Sequence, residues 1–391
     1  MTILFLYLFI MIVFTLKAFA EMIVSPFQNN HEIPKSTFIP TKSNKYIIDN
    51  CPCLAGFCPS WWAVGPHAQT FMQCTFPVPK GAHIYTRELI HLSFDNVEIA
   101  LDWKAGPNMT CTTPIIVFLH GLGGSSSSRY MQIFTSECVK MGYRPIVYNR
   151  RGHGGTSLMP KAPGKQAPKI FPTHVNMEDM EEVVQYIVKR FPRAPKYLVG
   201  LSCGANLAIN YIAEHPKHPF IATVSISNGY DIWNGTNLLQ KNPTSMKVAT
   251  DFLLDLLDDN KKDMKYMCKE QNIHINFDIA RRCRTLQDFE SLVVVPGYEF
   301  NNLYEYYENV GSHNKLGQVT TPLLCITNKC DPLVPTEMTL IPKDAATKNK
   351  YIINIETKNG GHLGWIEGRD KMPWYMKLIF EYFKANSLVV E

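Results

Sequence analysis

The sequence predicts an α/β fold with a mostly parallel central sheet flanked by helices and a helical cap inserted late in the chain. Three observations carry that expectation. Short apolar runs at residues 114–119, 196–200, 221–227, 321–327 and 351–357 read as buried strands, with helix-like segments between several of them. Several of these runs end in glycine-rich or polar loops, where open parallel sheets place their chemistry. One connection, residues 228–319, spends roughly ninety residues between strands, far more than an ordinary crossover needs.

In chain order, residues 1–24 come first. Ile3 to Leu16 is uninterrupted apolar sequence, followed by Lys17 and by Ala18-Phe-Ala20. This fits a secretory segment, either a signal anchor running through Lys17 or a signal peptide cleaved near Ala20. The rest of the chain is then expected in the lumen or outside the cell. Asn108-Met-Thr and Asn234-Gly-Thr are candidate glycosylation sites, while Asn242-Pro-Thr is blocked by its proline. Residues 25–86 form an arm containing proline, cysteine and tryptophan, expected to pack on the core. Residues 87–93 and 97–103, split by Phe94-Asp-Asn96, read as a hairpin that opens the first half of the core, residues 87–228. Residues 176–189 and 205–214 read as helices. In the cap, residues 229–319, the stretches 245–257 and 286–293 look amphipathic and precede Tyr298, Phe300, Tyr304, Tyr306 and Tyr307. The second half of the core is residues 320–391.

The strand at 196–200 leads into Leu201-Ser-Cys-Gly204, which offers two nucleophiles side by side. A nucleophile on a strand-to-helix elbow needs small residues two before and two after it, because the two backbones approach closely there. Gly200 and Gly204 meet that need for Ser202. Centred on Cys203, the flanks are Leu201 and Ala205, and the leucine crowds the turn. Ser202 is therefore the candidate nucleophile, and Cys203 the residue whose backbone N–H donates to an oxyanion.

A serine also needs a base, a carboxylate to orient that base and a second oxyanion donor. His120-Gly-Leu-Gly-Gly124, at the end of the strand at 114–119, supplies the donor, assigned to Leu122, with His120 holding the loop. Asp331 stands just past the strand at 321–327, and His362 follows two glycines after the strand at 351–357. They are read as acid and base. The order oxyanion loop, serine, acid and base, each after a strand, is an α/β-hydrolase layout. It implies attack of Ser202 on an ester carbonyl, an acyl-enzyme and release of the acyl group by water.

Several stretches together carry a family resemblance: PHAQT at Pro66, PIIVFLHGLGGSSSSRYM at Pro114, GYRPIVYNRRGHGG at Gly142, NMEDMEEVVQYI at Asn176 and GGHLGWIEG at Gly360. From about Cys51 onward the chain resembles the membrane-linked lipid esterases of the AB hydrolase superfamily, AB hydrolase four family. Its members include plant embryogenesis-associated proteins and yeast fatty-acid ethyl ester synthases. The resemblance implies a lipid ester substrate such as a monoacylglycerol or a phospholipid, a membrane surface and an N-terminal anchoring helix. It also implies nucleophile, acid and base on the motifs that contain Ser202, Asp331 and His362. GLSCG departs from relatives in which Met or Phe often follows the serine; only the backbone N–H is needed there.

Composition excludes several other classes. Apolar residues make up 46% of the chain, charged residues 19%, and the net charge of +5 is spread along it. The basic residues form no long run interleaved with aromatics, so nucleic-acid binding has no footprint. Neither a Walker-type phosphate loop nor G-x-G-x-x-G occurs. Cys51-Pro-Cys53 with Cys58 lacks the second pair a zinc site needs, so no metal and no cofactor are expected. No protein partner is inferred. The 11 cysteines are many for a cytosolic enzyme; Cys51, Cys53, Cys58 and Cys74 are candidates to pair among themselves. Three alternatives accompany the esterase reading. One is acyl transfer to an alcohol, hinted at by the H-x-x-x-x-D string from His174 to Asp179. The others are a catalytically silent lipid-binding member of the fold and a peptidase on the same scaffold.

Overall fold

The computed structural model describes residues 31–391 except 62, 64, 76, 163, 165–166, 168, 170, 172–175, 299, 369–371 and 390–391, with backbone alone at 74–75. Within the first thirty residues it describes 16 and 20 alone, so the apolar run expected to anchor the chain, Leu16 apart, lies outside the described residues. Among the described residues no helix is long and apolar enough to cross a membrane.

The arm contributes β1 (Lys35–Thr37), α1 (Lys42–Asp49) and α2 (Pro66–Thr75). The first half of the core follows with β2 (Thr86–His91), β3 (Glu98–Trp103), β4 (Ile115–Leu119), α3 (Arg129–Lys140), β5 (Arg144–Asn149), α4 (Met177–Arg190), β6 (Lys196–Leu201), α5 (Cys203–Glu214) and β7 (Phe220–Ile226). Five helices come next: α6 (Ile232–Leu239), α7 (Pro243–Glu270), α8 (Phe277–Ala280), α9 (Leu286–Gly297) and α10 (Leu303–Val310). The chain then completes the core with β8 (Leu323–Asn328), α11 (Leu340–Lys348), β9 (Ile352–Thr357) and α12 (Trp374–Val389).

All nine strands join one sheet, ordered β1-β9-β8-β7-β6-β4-β5-β3-β2. From β5 through β4, β6, β7 and β8 to β9 the neighbours run parallel. The β2–β3 hairpin closes one edge antiparallel, and the arm's β1 closes the other by pairing with β9. The arm therefore extends the sheet as well as packing on it. Every residue of β4, β6, β8 and β9 is buried. That explains why these strands read as continuous apolar runs: helices cover both faces, so neither face needs polar residues. Along β4, Ile116 and Phe118 pack into the cluster that includes α12, while Ile115, Val117 and Leu119 enter the cluster with α4 and α5.

The helices between β7 and β8 hold a third cluster, built on Leu253, Leu254, Leu257, Phe289, Val293 and Tyr307. Helix α7 runs well beyond the amphipathic stretch read at 245–257. Its second half is rich in Lys and Asp, yet Met264, Met267 and Cys268 keep the buried stripe going. Asn242 caps it, its side chain accepting from the Ser245 N–H, with Pro243 at the first helical position. The elements α3, β5 and α12 go beyond those read from sequence pattern.

Candidate active site

The elbow is where β6 passes into α5. Ser202 lies between them with φ 53° and ψ −121°, a positive φ that is strained for a residue with a side chain. Neighbours over-determine it: the Ser202 N–H donates to the Ile226 carbonyl at 2.8 Å, and the Ala205 N–H donates to the Ser202 carbonyl at 2.9 Å. The flanking glycines have no room for anything larger. A Cβ on Gly200 would lie 2.4 Å from Ala205 Cα, and one on Gly204 would lie 2.2 Å from the Leu119 carbonyl oxygen. The elbow thus projects the Ser202 hydroxyl above the carboxyl edge of the sheet.

The loops after β8 and β9 meet the serine there. His362 Nε2 is 2.8 Å from Ser202 Oγ, and His362 Nδ1 is 3.0 and 3.1 Å from the two Asp331 carboxylate oxygens. A carboxylate only accepts, so Nδ1 carries the proton and Nε2 is left to accept from the hydroxyl. The Asp331 side chain is 2% exposed, and its Oδ1 also accepts the Leu333 and Val334 N–H groups at 2.8 and 3.0 Å. It is a fixed, buried acceptor, unlike a solvated turn aspartate. His362 rides on a strained loop in which Gly360 and Leu363 both have positive φ. Each turn of that loop is fastened: Asn328 Nδ2 donates to the Gly361 carbonyl, the His362 N–H to Thr70 Oγ1 and the Leu363 N–H to Ser227 Oγ.

The loop after β4 lies against the nucleophile, since a Cβ on Gly121 would come within 3.3 Å of Ser202 Cβ. Leu122 lines the cavity above the serine, and its side chain packs on the cluster formed by the α7 and α9 helices. Cys203 is the first residue of α5, so its N–H has no acceptor one turn earlier in the helix. His120 is buried. Its Nδ1–H donates to the Gly121 carbonyl, and burial beside Arg150 and His153 pushes its pKa far below the ordinary histidine range. It therefore stays neutral and shapes the loop. Arg150 had no sequence reading beyond a motif. Its guanidinium is buried under the elbow, donating to Cys203 Sγ at 3.4 Å, to the Gly121 carbonyl at 3.3 Å and to the His120 carbonyl at 3.4 Å. An arginine doublet directly after an apolar strand was the available signal.

Asp179, from the H-x-x-x-x-D string, is buried and gripped by Arg151 through bonds of 2.6 and 2.7 Å, and Arg151 also holds Asp95 at 2.7 Å. Arg151 thereby ties the loop after β5 to the β2–β3 turn and to the first turn of α4; His174 lies outside the described residues. Asn108 stands exposed in a turn, whereas Asn234 is exposed on α6 with the hydroxyl of Thr236 turned back onto the Ile232 carbonyl. Cys51, Cys53 and Cys58 are thiols, and burial pushes Cys51 up to about 12; the Cys74 side chain lies outside the described residues. Among the described residues no group of three or more His, Cys, Asp or Glu side chains is arranged to hold a metal ion.

A cavity of about 630 Å³ opens above Ser202, Cys203 and His362 between the sheet and the helices that follow β7. Its walls are mainly apolar, with Phe71, Ile232, Leu239, Val248, Phe252 and Leu286 among them. A groove of about 780 Å³ beside α11 contains none of the three residues that meet at the elbow.

A family model described as serine aminopeptidase, S33, matches residues 110–352. The chain is 26% identical over 348 residues to a protein named phospholipase ABHD3 from Homo sapiens, covering 87% of this chain and 81% of that one. It is 26% identical over 284 residues to a monoacylglycerol lipase from Saccharomyces cerevisiae, covering 69% of this chain and 59% of the relative. Among solved structures, an esterase from Pyrococcus furiosus superposes with a TM-score of 0.50 at 17% identity, over 79% of this chain and 94% of that one.

Proposed function

Because the chain belongs to the serine aminopeptidase S33 family of α/β-hydrolases, we propose that it hydrolyses lipid carboxylic esters through Ser202, His362 and Asp331. The observation that carries this reading is the continuous relay of 2.8 Å from Ser202 Oγ to His362 Nε2 and 3.0 Å from Nδ1 to Asp331, at the floor of an apolar cavity. His362 takes the serine proton as Ser202 Oγ attacks the ester carbonyl, and Asp331 stabilises the resulting imidazolium without itself being protonated. The N–H groups of Leu122 and Cys203 hold the oxyanion. His362 then returns its proton to the departing alcohol, and water, activated by the same histidine, releases the acid.

The cavity wall supports the lipid part of the reading. Leu239, Val248, Ala249 and Phe252 offer apolar surface to an acyl chain, and burying it there contributes about 0.8 kcal/mol per methylene. The relatives named as a phospholipase and a monoacylglycerol lipase agree with an acyl ester substrate. The apolar sequence before Lys17 supports placement at a membrane surface in the secretory pathway, with the cavity on the luminal or extracellular side.

The test is labelling of the purified protein with a fluorophosphonate probe, followed by turnover of acyl glycerol and phospholipid esters with a peptide amide and an added alcohol in parallel. Label on Ser202 that survives Cys203→Ala, with free acid as the product, is the expected result. A new ester formed with the alcohol would redirect the reading to acyl transfer. Absence of both label and turnover would overturn it in favour of a silent binding protein.

A further inference from the structure

The loop that carries His362 is held mostly from outside the core. Following it along the chain, the Lys358 and Asn359 N–H groups donate to the Glu32 carboxylate at 3.0 to 3.3 Å. The His362 N–H donates to Thr70 Oγ1 at 2.8 Å, and that hydroxyl in turn donates to the Pro66 carbonyl at 2.7 Å. Gln69 brackets the far end: its Oε1 accepts the Ile366 N–H at 2.5 Å and its Nε2 donates to the Ile366 carbonyl at 3.1 Å. The Ser60 N–H reaches the same Ile366 carbonyl at 3.0 Å, and Ser60 Oγ donates to the Gly368 carbonyl at 2.7 Å.

Glu32, Ser60, Gln69 and Thr70 all belong to the arm, which precedes the residues matched by the family model. The fit is also steric. A Cβ on Gly361 would lie 2.6 Å from the Pro66 carbonyl oxygen and 2.7 Å from Thr70 Oγ1, and one on Gly364 would lie 2.8 Å from Gln69 Cβ. Helix α2 and the histidine loop are therefore in backbone contact, and the two glycines flanking His362 in sequence are small because the arm is there.

We infer that the arm is part of the catalytic apparatus and that Thr70 is a positioning residue for His362. The inference rests on the serine-hydrolase reading above. Its physical basis is that Leu363 sits at φ 58°, a conformation that persists only while its surroundings over-determine it. Removing the hydroxyl that fixes the histidine N–H leaves a buried donor without an acceptor. The loop relaxes, and the imidazole drifts from its 2.8 Å contact with the serine. Misplacement of a base by about 1 Å costs on the order of 100-fold in rate.

The experiment compares Thr70→Val, Thr70→Ser and Glu32→Ala in the full chain, reading kcat and KM on a soluble acyl ester together with the downfield proton resonance of His362 Nδ1–H. In Thr70→Val, kcat falls about 10- to 100-fold with KM nearly unchanged, and the resonance shifts or broadens. Thr70→Ser, which keeps the hydroxyl, restores both. Glu32→Ala, at the outer end of the loop, gives a smaller loss in kcat in the same direction. A folded Thr70→Val protein with parent kcat and an unmoved resonance overturns the inference; if that variant does not fold, parent values in Glu32→Ala do so. Ser202→Ala separates this from the underlying reading. Full turnover in that variant removes the serine mechanism itself, while the His362 resonance still tests what Thr70 does.

Discussion

At the elbow, one added Cβ on Gly204 would fall 2.2 Å from a backbone oxygen, whereas across the cavity Phe252 of α7 is 39% exposed and leans its side chain toward Gly123 of the loop after β4. Both regions face the same substrate space. The elbow is made of backbone packed on backbone, in which Leu119, Ser202, Gly204 and Ala205 leave no slack. The cap is made of side chains in contact, in which Leu253, Leu257, Phe289 and Val293 fill a volume that other apolar residues can also fill. The difference teaches where this molecule tolerates change: the elbow cannot admit even one added Cβ, whereas the cap can be repacked with other apolar side chains.

The sharpest probe of that contrast is Ser202→Ala, for which kcat falls roughly 10⁶-fold while the fold persists, measured by turnover alongside circular dichroism. Next is Gly204→Ala, where overpacking against the Leu119 carbonyl removes about 3 kcal/mol or more, read from the urea midpoint. Parent stability in that variant would break the account of the elbow as a rigid backbone junction. On the cap side, Phe252→Ala changes kcat/KM by about tenfold and in a chain-length-dependent manner, a far smaller effect than loss of the serine. A uniform loss over a series of acyl esters would instead tie Phe252 to the oxyanion loop it touches.

A graded effect, absent at neutral pH, concerns acid. His120 and His153 lie under the elbow with ring centroids 4.8 Å apart, and burial, followed by the Arg150 charge, depresses both, His153 to about 3. The unfolded chain protonates these rings near pH 6.5 and the folded one does not. Their contribution to stability is therefore complete above pH 6.5 and is lost as pH falls below it, at up to about 1.4 kcal/mol per pH unit for each ring. Urea melts between pH 7 and pH 5 measure it, and a flat profile would show that the rings take up protons in the fold as readily as in the unfolded chain.

Strands β4, β6, β7, β8 and β9 were legible because each advertises itself twice, by an apolar run and by the punctuation that follows, whereas β5, with Arg144 and Pro145 at its start, did not stand out. Ser202 was chosen over Cys203 from glycine spacing alone, and the added-Cβ distances at Gly200 and Gly204 supply the steric cause. Asp331 and His362 stand just past strand ends in the sequence, and the structure brings both to Ser202. Arg150 and Thr70 were not found as site residues. Nothing local marks a threonine inside PHAQT as the acceptor for an N–H group 292 residues away. The second half of α7 was missed for a related reason: its Lys and Asp residues hide a stripe that only the neighbouring helices reveal as buried.

By itself, then, the sequence determined most of the parallel strands, the elbow and which serine, aspartate and histidine stand at strand ends, because those features follow from burial on both sheet faces and from short-range backbone sterics. Tertiary structure alone decided that the arm closes the sheet as β1 and braces the histidine loop through Glu32, Ser60, Gln69 and Thr70. It alone decided that Asp179 serves Arg151. Those pairings join segments that are separate in the chain through a few hydrogen bonds each, and such contacts leave no periodicity for a sequence to display.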